Sequence, residues 1–179
     1  MIAISYGTMF LFISTIWCVN RAIIWAKNKN IDWNRELQLL LVYICIVVIS
    51  RFTFCPFGKI DGQIQPLIFD VEQILPFRIN LFPFVYLFDY ETMRAAILNI
   101  VGNTFMFVPV GIVFPIVYKK LDTHIKAITA GIAISLTIEI LQLPFYNRVS
   151  DIDDLILNSL GYILGYFLYL GVSRIKPRV

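Results

Sequence analysis

Charged residues are scarce in this chain of 179 amino acids. Asp, Glu, Lys and Arg together make up 15% of it, hydrophobic residues make up 59%, and the mean hydropathy is +0.77. A soluble domain contains about 25% charged residues. The scarcity of charge excludes an ordinary soluble domain and predicts an integral membrane protein.

Histidine and cysteine are also rare, at one and three residues. His124 lies in a short basic connection, where we expect it to be solvated rather than catalytic. Cys18 and Cys45 fall within apolar segments and Cys55 ends one, so their spacing fits neither a metal knuckle nor a disulfide framework. The sequence also lacks a glycine-rich phosphate-binding loop. We therefore predict no cofactor and no catalytic nucleophile.

The first apolar run lacks the marks of a signal peptide. No Lys or Arg precedes it, and no small-residue cleavage site follows it. We predict a retained membrane-spanning helix.

Five segments have the roughly 20 mostly apolar residues that a spanning helix needs. They are Ile4–Trp25, Leu37–Phe54, Arg94–Tyr118, Lys126–Phe145 and Leu155–Val172. The predicted fold is an all-α integral membrane protein of about five transmembrane helices, with residues 1–179 forming a single membrane domain.

Basic residues are distributed unevenly between the two ends of these helices. Ten Lys and Arg residues lie in or beside the first connection, the third connection and the C-terminal tail, against five at the other end. By the positive-inside rule, the N-terminus is predicted to lie outside and the C-terminus in the cytoplasm.

The connection between the second and third helices, residues 55–92, is unusual because it contains four prolines yet is rich in Phe, Ile and Leu. Its stretch Leu81–Phe88 is too short to span a membrane and contains Pro83. We interpret it as a re-entrant or interfacial segment that caps the outer side of the bundle. The alternative is an amphipathic surface helix with aromatic anchors.

Polar side chains recur at helical spacing near the outer ends of these helices. Asn99 and Asn103 are spaced i,i+4, as are Asp154 and Asn158, so each pair shares one helix face. Ionisable groups at membrane depth are costly and tend to line cavities, pair or bind ligands. We call the predicted ligand-binding set the polar cluster: Arg51, Asn80, Asn99, Asn103, Glu139, Gln142, Arg148, Asp151, Asp154 and Asn158.

Glu139 is the member that most needs a partner, and Arg148 or Arg51 would serve. Each of the other members also has a purely structural interpretation. The asparagines can be interhelical hydrogen-bonding groups, and Asp151, Asp153 or Asp154 can cap a helix. Three or four carboxylates could bind Mg²⁺ or Ca²⁺, but their spacing does not match the calcium loop, so we predict no metal site.

Four glycines bear on helix packing. Gly161 and Gly165 form a Gly-x-x-x-Gly pair, and Gly102 and Gly111 are expected to let a neighbouring helix approach closely.

Several of these motifs together resemble the VanZ-like family of membrane proteins. The resemblance covers about residues 45–172. It rests on Asn80-Leu-Phe-Pro-Phe84, on Asn99-Ile-Val-Gly-Asn103 with the following Phe-Val-Pro109-Val-Gly111, on Glu139-x-x-Gln142, and on Arg148 through Gly165. The family is named for a protein linked to teicoplanin resistance in Gram-positive bacteria. The resemblance implies a protein of the bacterial plasma membrane that acts in the cell envelope and lowers susceptibility to lipoglycopeptide antibiotics.

Three hypotheses for function remain open at this point. The leading one is an outward-facing polar pocket that binds an amphiphile: a membrane lipid, a lipid-linked peptidoglycan precursor or a lipoglycopeptide, with no nucleic-acid partner. In it, Arg51 and Arg148 contact anionic head-group atoms, and the amides form hydrogen bonds. The second is an enzyme that modifies a lipid-linked envelope substrate, with Glu139 as a base, with or without a divalent metal on Asp151 and Asp154. The third is an accessory membrane protein whose polar residues only join helices.

Overall fold

In the computed structural model of the chain, five long helices form a bundle with short strands at one end. The structure describes residues 1–28, 30–55, 59–60, 63–70, 72, 75–85 and 92–175. The helices are α1 (Tyr6–Lys27), α2 (Trp33–Phe54), α3 (Met93–Val117), α4 (His124–Gln142) and α5 (Ile152–Ile175). Each is long and apolar enough to cross a membrane. The prediction of an all-α membrane protein with five spanning helices is confirmed.

The helix starts follow from capping residues in the sequence. The side chains of Ser5, Asp32, Thr92 and Thr123 each accept a hydrogen bond from the amide three residues later. Such a cap satisfies one of the free N–H groups at the start of a helix. The caps explain why α2 begins four residues before its predicted start at Leu37, because Asp32 precedes the apolar run.

The closest packing in the bundle is between α3 and α5, and glycine makes it possible. A Cβ atom added to Gly161 would lie 1.9 Å from the carbonyl oxygen of Thr104, and one added to Gly165 would lie 2.0 Å from that of Val108. Gly111 lies equally close to the backbone of α5. The expectation for Gly102 is wrong, because a Cβ there would meet nothing within 4 Å.

The core lies between α2, α3, α4 and α5, where Phe107 and Tyr162 are fully buried. Helix α1 lies at the edge of the bundle and contains no buried residue. It is held to α2 by an ion pair between Arg21 and Glu36 and by a 2.7 Å hydrogen bond between Ser14 and Tyr43.

Short strands gather at one end of the bundle: β1 (Ile2–Ile4), β2 (Lys59–Ile60), β3 (Gln63–Ile64), β4 (Leu67–Phe69), β5 (Ile79–Asn80) and β6 (Ser150–Asp151). Strand β1 pairs with β4 in antiparallel register, and β5 pairs with β6 in parallel register. The N-terminus, the connection between α2 and α3, and the connection between α4 and α5 therefore share this end. Residues 28 and 30–32, between α1 and α2, and residues 118–123, between α3 and α4, lie at the opposite end.

The proline-rich connection includes an apolar turn at residues 81–85, which we call the apolar turn. Leu81, Phe82, Phe84 and Val85 are between 56% and 70% exposed. Residues 86–88 of the predicted re-entrant stretch lie outside the described residues, as do Lys29, Lys176 and Arg178 among the basic residues behind the predicted orientation. Pairing of β5 with β6 holds the turn beside the start of α5.

Candidate functional site

All ten residues of the polar cluster lie at the stranded end of the bundle, on α2, α3, α4, α5 and strands β5 and β6 or the connection before β6. Eight of them fall into three groups by their hydrogen bonds, and the other two are Asn99 and Asn158. One group links β5, β6 and α4, a second group lies against the C-terminal end of α2, and a third joins α3 to α5.

The first group is a chain of hydrogen bonds through Asp151. The Nδ2 atom of Asn80 donates to both carboxylate oxygens of Asp151, at 3.1 Å each. The backbone N–H of Asp151 donates to Oε2 of Glu139 at 2.8 Å. The carboxylate of Asp151 also accepts from the amide of Asp153 at 2.8 Å, at the first turn of α5. Asp151 thus caps α5 and fixes both neighbouring connections.

The expected ion pair of Glu139 with Arg148 or Arg51 is wrong. Glu139 is 4% exposed, and its carboxylate accepts a hydrogen bond from the backbone N–H of Asp151. In the part of the chain that the structure describes, the ion pairs are Arg21–Glu36 and Lys126–Asp122, both away from the polar cluster. Arg51 and Arg148 instead donate hydrogen bonds to backbone carbonyl groups at the C-terminal end of α2.

The second group satisfies the last carbonyl groups of α2, which have no partner within the helix. Gln142 Nε2 donates to the carbonyl oxygen of Thr53 at 2.8 Å, and Arg148 Nε donates to that of Phe54 at 3.3 Å. Arg51 Nη1 donates to the carbonyl oxygen of Cys55 at 2.9 Å. Positive charge at a helix C-terminus also suits the helix dipole.

Both arginines also act electrostatically on Cys55, the residue that follows α2. Burial raises the pKa of the Cys55 thiol, and the nearby guanidinium groups of Arg51 and Arg148 act in the opposite direction. Burial lowers the pKa of Arg148, while the Cys55 thiol and the carboxyl group of Asp154 oppose that shift. An arginine keeps its proton despite such a shift, so Arg148 remains a partly buried cation.

The third group joins α3, α5 and the apolar turn. Asn103 Nδ2 donates to Oδ1 of Asp154. The backbone N–H of Phe84 donates to Oδ1 of Asp153 at 2.9 Å. Phe84 has a φ of 65°, a strained backbone conformation for a residue with a side chain. The bond to Asp153 holds this strained turn against the start of α5.

A cavity of about 200 Å³ borders this third group. Phe52, Leu98, Asn99, Gly102 and Asn103 line it, so two amide side chains of the polar cluster face space between α2 and α3. The absent side chain of Gly102 contributes to this space.

Four buried polar atoms of the site have no hydrogen-bond partner among the described residues: Gln142 Oε1, Arg148 Nη2, Asp153 Oδ2 and Asn158 Oδ1. Asn158 is 1% exposed, and Gln142 and Asp153 are each 4% exposed. Buried polar atoms are normally bonded, to protein or to ordered water. The described contacts therefore leave one donor and three acceptors available to water or to a ligand.

Sequence reasoning missed several parts of the site. Asp153 is outside the predicted ligand-binding set, yet it is buried and accepts a hydrogen bond from the backbone N–H of Phe84 in the apolar turn. The carbonyl groups of Thr53, Phe54 and Cys55 and the amides of Asp151 and Phe84 are backbone atoms, for which the sequence contains no signal. Within the described residues, no three His, Cys, Asp or Glu side chains come together in a way that could hold a metal ion.

Comparison with known proteins gives two matches and one negative result. A family model described as VanZ/LLP1 matches residues 40–174. Over 96 residues, the chain is 30% identical to Protein VanZ of Enterococcus faecium, and the alignment covers 54% of this chain and 54% of that protein. The chain thus spans about half the length of the curated relative it matches. No solved structure gives a significant match.

Proposed function

We propose that this chain, which belongs to the VanZ/LLP1 family, acts in the bacterial cell envelope by binding an amphiphile at the polar cluster. The ligand is a phospholipid, a lipid-linked peptidoglycan precursor or a lipoglycopeptide of the teicoplanin type. The cluster faces the outside of the plasma membrane, which places the N-terminus outside and the C-terminus in the cytoplasm. Binding lowers susceptibility to such antibiotics.

The observation that carries this proposal is the set of unpaired buried atoms. An unsatisfied buried polar atom costs about 1–3 kcal/mol. Of the six such side-chain atoms among the described residues, four lie in this site, and the other two belong to Ser135 and Tyr162 elsewhere in the bundle. Their concentration in one place favours a ligand or ordered water there. Here Gln142, Asp153 and Asn158 each leave an acceptor unused, and Arg148 leaves a donor unused, among the described residues.

These free atoms favour a head group with both kinds of polar group. The Nη2 atom of Arg148 suits a phosphate, carboxylate or hydroxyl oxygen, and guanidinium groups recognise such oxygens well. The free oxygens of Gln142 and Asn158 suit hydroxyl, amide or amine donors. Phospholipids, lipid-linked precursors and lipoglycopeptides all offer such combinations.

The apolar turn supplies the complementary surface for a hydrocarbon tail. Leu81, Phe82, Phe84 and Val85 are exposed, and the hydrogen bond from Phe84 to Asp153 connects the turn directly to the polar site. Apolar groups of this kind partition into the outer part of a bilayer. A ligand with its head group at the cluster would place its tail along this turn.

Asn158 provides the sharpest test, because its Oδ1 atom has no partner among the described residues. The substitution Asn158→Ala is expected to reduce the lipid or lipoglycopeptide that co-purifies with the protein, as measured by native mass spectrometry. It is also expected to reduce the teicoplanin tolerance that the wild-type chain gives to a susceptible Gram-positive host. Asn20→Ala, on the exposed surface of α1, is the matched control.

Two results would contradict the proposal. One is a folded Asn158→Ala protein with unchanged binding and unchanged tolerance. The other is the same absence of effect for Asn103→Ala, which removes an amide that both borders the cavity and binds Asp154. Size-exclusion profiles and thermal unfolding establish folding for each variant.

A further inference from the structure

A second candidate site lies at the opposite end of the bundle, between α1 and α2. A cleft of about 490 Å³ opens there, and all three tryptophans of the chain, Trp17, Trp25 and Trp33, line it. Trp17 lies eight residues before Trp25 on α1, a distance of about 12 Å along the helix. The cleft thus extends along the axis of α1, from the end of the hairpin that α1 and α2 form towards the middle of α1.

A polar pocket of about 350 Å³ adjoins this cleft. The two share Arg21, Trp25 and Glu36, and the pocket is also lined by Arg35 and by the short connection between the helices. The apolar cleft and the polar pocket together have the shape and polarity of a hydrocarbon chain joined to a head group.

The acidic groups at this pocket are already engaged within the chain. Glu36 accepts two hydrogen bonds from Arg21, and Asp32 accepts the amide of Arg35 as the cap of α2. Three cations lie at the same end of the hairpin, Arg21, Arg35 and Lys27, the last in the final turn of α1. Arg21 and Arg35 balance Glu36 and Asp32 in the lining of the pocket, and Lys27 gives this end of the two helices one positive charge in excess.

The end of α3 adds to this excess. Arg35 Nη1 donates to the carbonyl oxygen of Val117, which brings the following Lys119 and Lys120 to the same end of the bundle. In the described hydrogen bonds, Arg35 uses only Nη1 of its guanidinium nitrogens. The remaining N–H groups of Arg35 suit an anionic oxygen.

We infer that the α1–α2 hairpin holds an anionic phospholipid, with one acyl chain in the tryptophan-lined cleft and the phosphate at Arg35 and Lys27. This site is separate from the polar cluster and belongs to the opposite leaflet. Tryptophan at a membrane interface favours the boundary between head group and acyl chain. The charge excess selects an anionic head group, since each basic residue near it contributes about fivefold in affinity.

Tryptophan fluorescence, excited selectively over that of tyrosine, reports on this site, because all three tryptophans of the chain line the cleft. The protein is reconstituted in phosphatidylcholine vesicles that contain an increasing mole fraction of either dibrominated phosphatidylglycerol or dibrominated phosphatidylcholine. Bromine quenches tryptophan on contact. We expect the anionic lipid to quench at several-fold lower mole fraction than the zwitterionic one.

Two kinds of variant separate charge from shape. Lys27→Gln and Arg35→Gln are each expected to reduce the preference for the anionic lipid by about fivefold, whereas Arg94→Gln, at the other end of the bundle, leaves it unchanged. Ala22→Phe fills the cleft and is expected to reduce quenching by both lipids. Ala133→Phe, on the exposed surface of α4, is its control.

Equal quenching by the two lipids in the wild-type protein would overturn the inference and leave only bulk lipid contact. A preference that survives both Lys27→Gln and Arg35→Gln would overturn it as well. Weak quenching by either lipid, together with oxidative cross-linking of two chains through exposed Cys18, would assign the cleft to a second copy of the chain. The Asn158→Ala variant keeps wild-type quenching, so failure of this inference is distinguishable from failure of the proposed function.

Discussion

The carboxylate of Glu139, near the end of α4, accepts a hydrogen bond of 2.8 Å from the backbone N–H of Asp151, the residue that precedes α5. This buried hydrogen bond joins α4 to the end of the connection that leads into α5. Glu139 therefore positions Asp151, and through it Asn80 and the start of α5.

Removing the Glu139 carboxylate is expected to destabilise the protein. Glu139→Ala leaves the Asp151 amide without its acceptor and costs about 1–3 kcal/mol, whereas Glu139→Gln keeps an acceptor oxygen and costs less. Thermal unfolding in detergent measures the difference. Thr137→Ala, on the exposed face of the same helix, is the control. Equal stability of Glu139→Ala and wild type would contradict the assigned role.

Asn80 is expected to control the order of the apolar turn. Its Nδ2 atom binds the Asp151 carboxylate and its Oδ1 atom accepts the amide of Phe82 at 3.1 Å. In Asn80→Ala both connections are lost, and amide hydrogen exchange should rise at residues 79–84 while that of α4 stays unchanged. Unaltered exchange in the turn would show that strand pairing alone holds it.

The glycine contacts between α3 and α5 predict that alanine substitutions at different glycines have very different effects on stability. Gly161→Ala and Gly165→Ala place a Cβ about 2 Å from a carbonyl oxygen, which forces the helices apart and costs about 3 kcal/mol or more. Gly171→Ala, with open space around it, should stabilise α5 by about 0.5–1 kcal/mol. Folded yield and melting temperature in detergent test this order, and equal tolerance of all three would refute the packing.

Substitution of Gly102 by alanine is expected to be tolerated, unlike the same substitution at Gly161 or Gly165. Alanine there meets no atom within 4 Å, so Gly102→Ala should fold normally. Because Gly102 lines the cavity with Asn99 and Asn103, a larger residue such as Leu at this position should block the space and reduce co-purified ligand. Gly171→Leu is the matched control for bulk. Full ligand occupancy in a folded Gly102→Leu protein would separate this cavity from the binding site.

The Arg21–Glu36 ion pair is expected to fasten α1 to the bundle. Both side chains are mostly shielded, at 13% and 15% exposure, so Arg21→Ala leaves a shielded carboxylate without its partner at a cost of about 3 kcal/mol. The charge-reversed double variant Arg21→Glu with Glu36→Arg should recover much of this loss. Asp122→Ala, which breaks the exposed pair with Lys126, should change the melting temperature little. Similar melting temperatures for Arg21→Ala and Asp122→Ala would contradict the fastening role.

The sequence predicted the parts of this protein that depend on local pattern. Apolar length located all five helices, and helical spacing identified Asn103 and Asp154, which meet across α3 and α5. It failed for Glu139, because the partner is a backbone amide that any residue type would offer. It also failed for Gly102, because spacing alone does not tell which glycine faces a helix and which faces open space.

The backbone contact between α3 and α5 has a consequence for motion. At Gly161 and Gly165 the two helices touch through main-chain atoms, so no side-chain rotation can loosen them there, and we expect them to move as one rigid body. Under the proposed function, a ligand reaches the polar cluster by displacement of α2, α4 or the apolar turn relative to that body. The apolar turn is exposed, and within the described residues the Phe84–Asp153 hydrogen bond joins it to α5, so we expect the turn to be the part that moves.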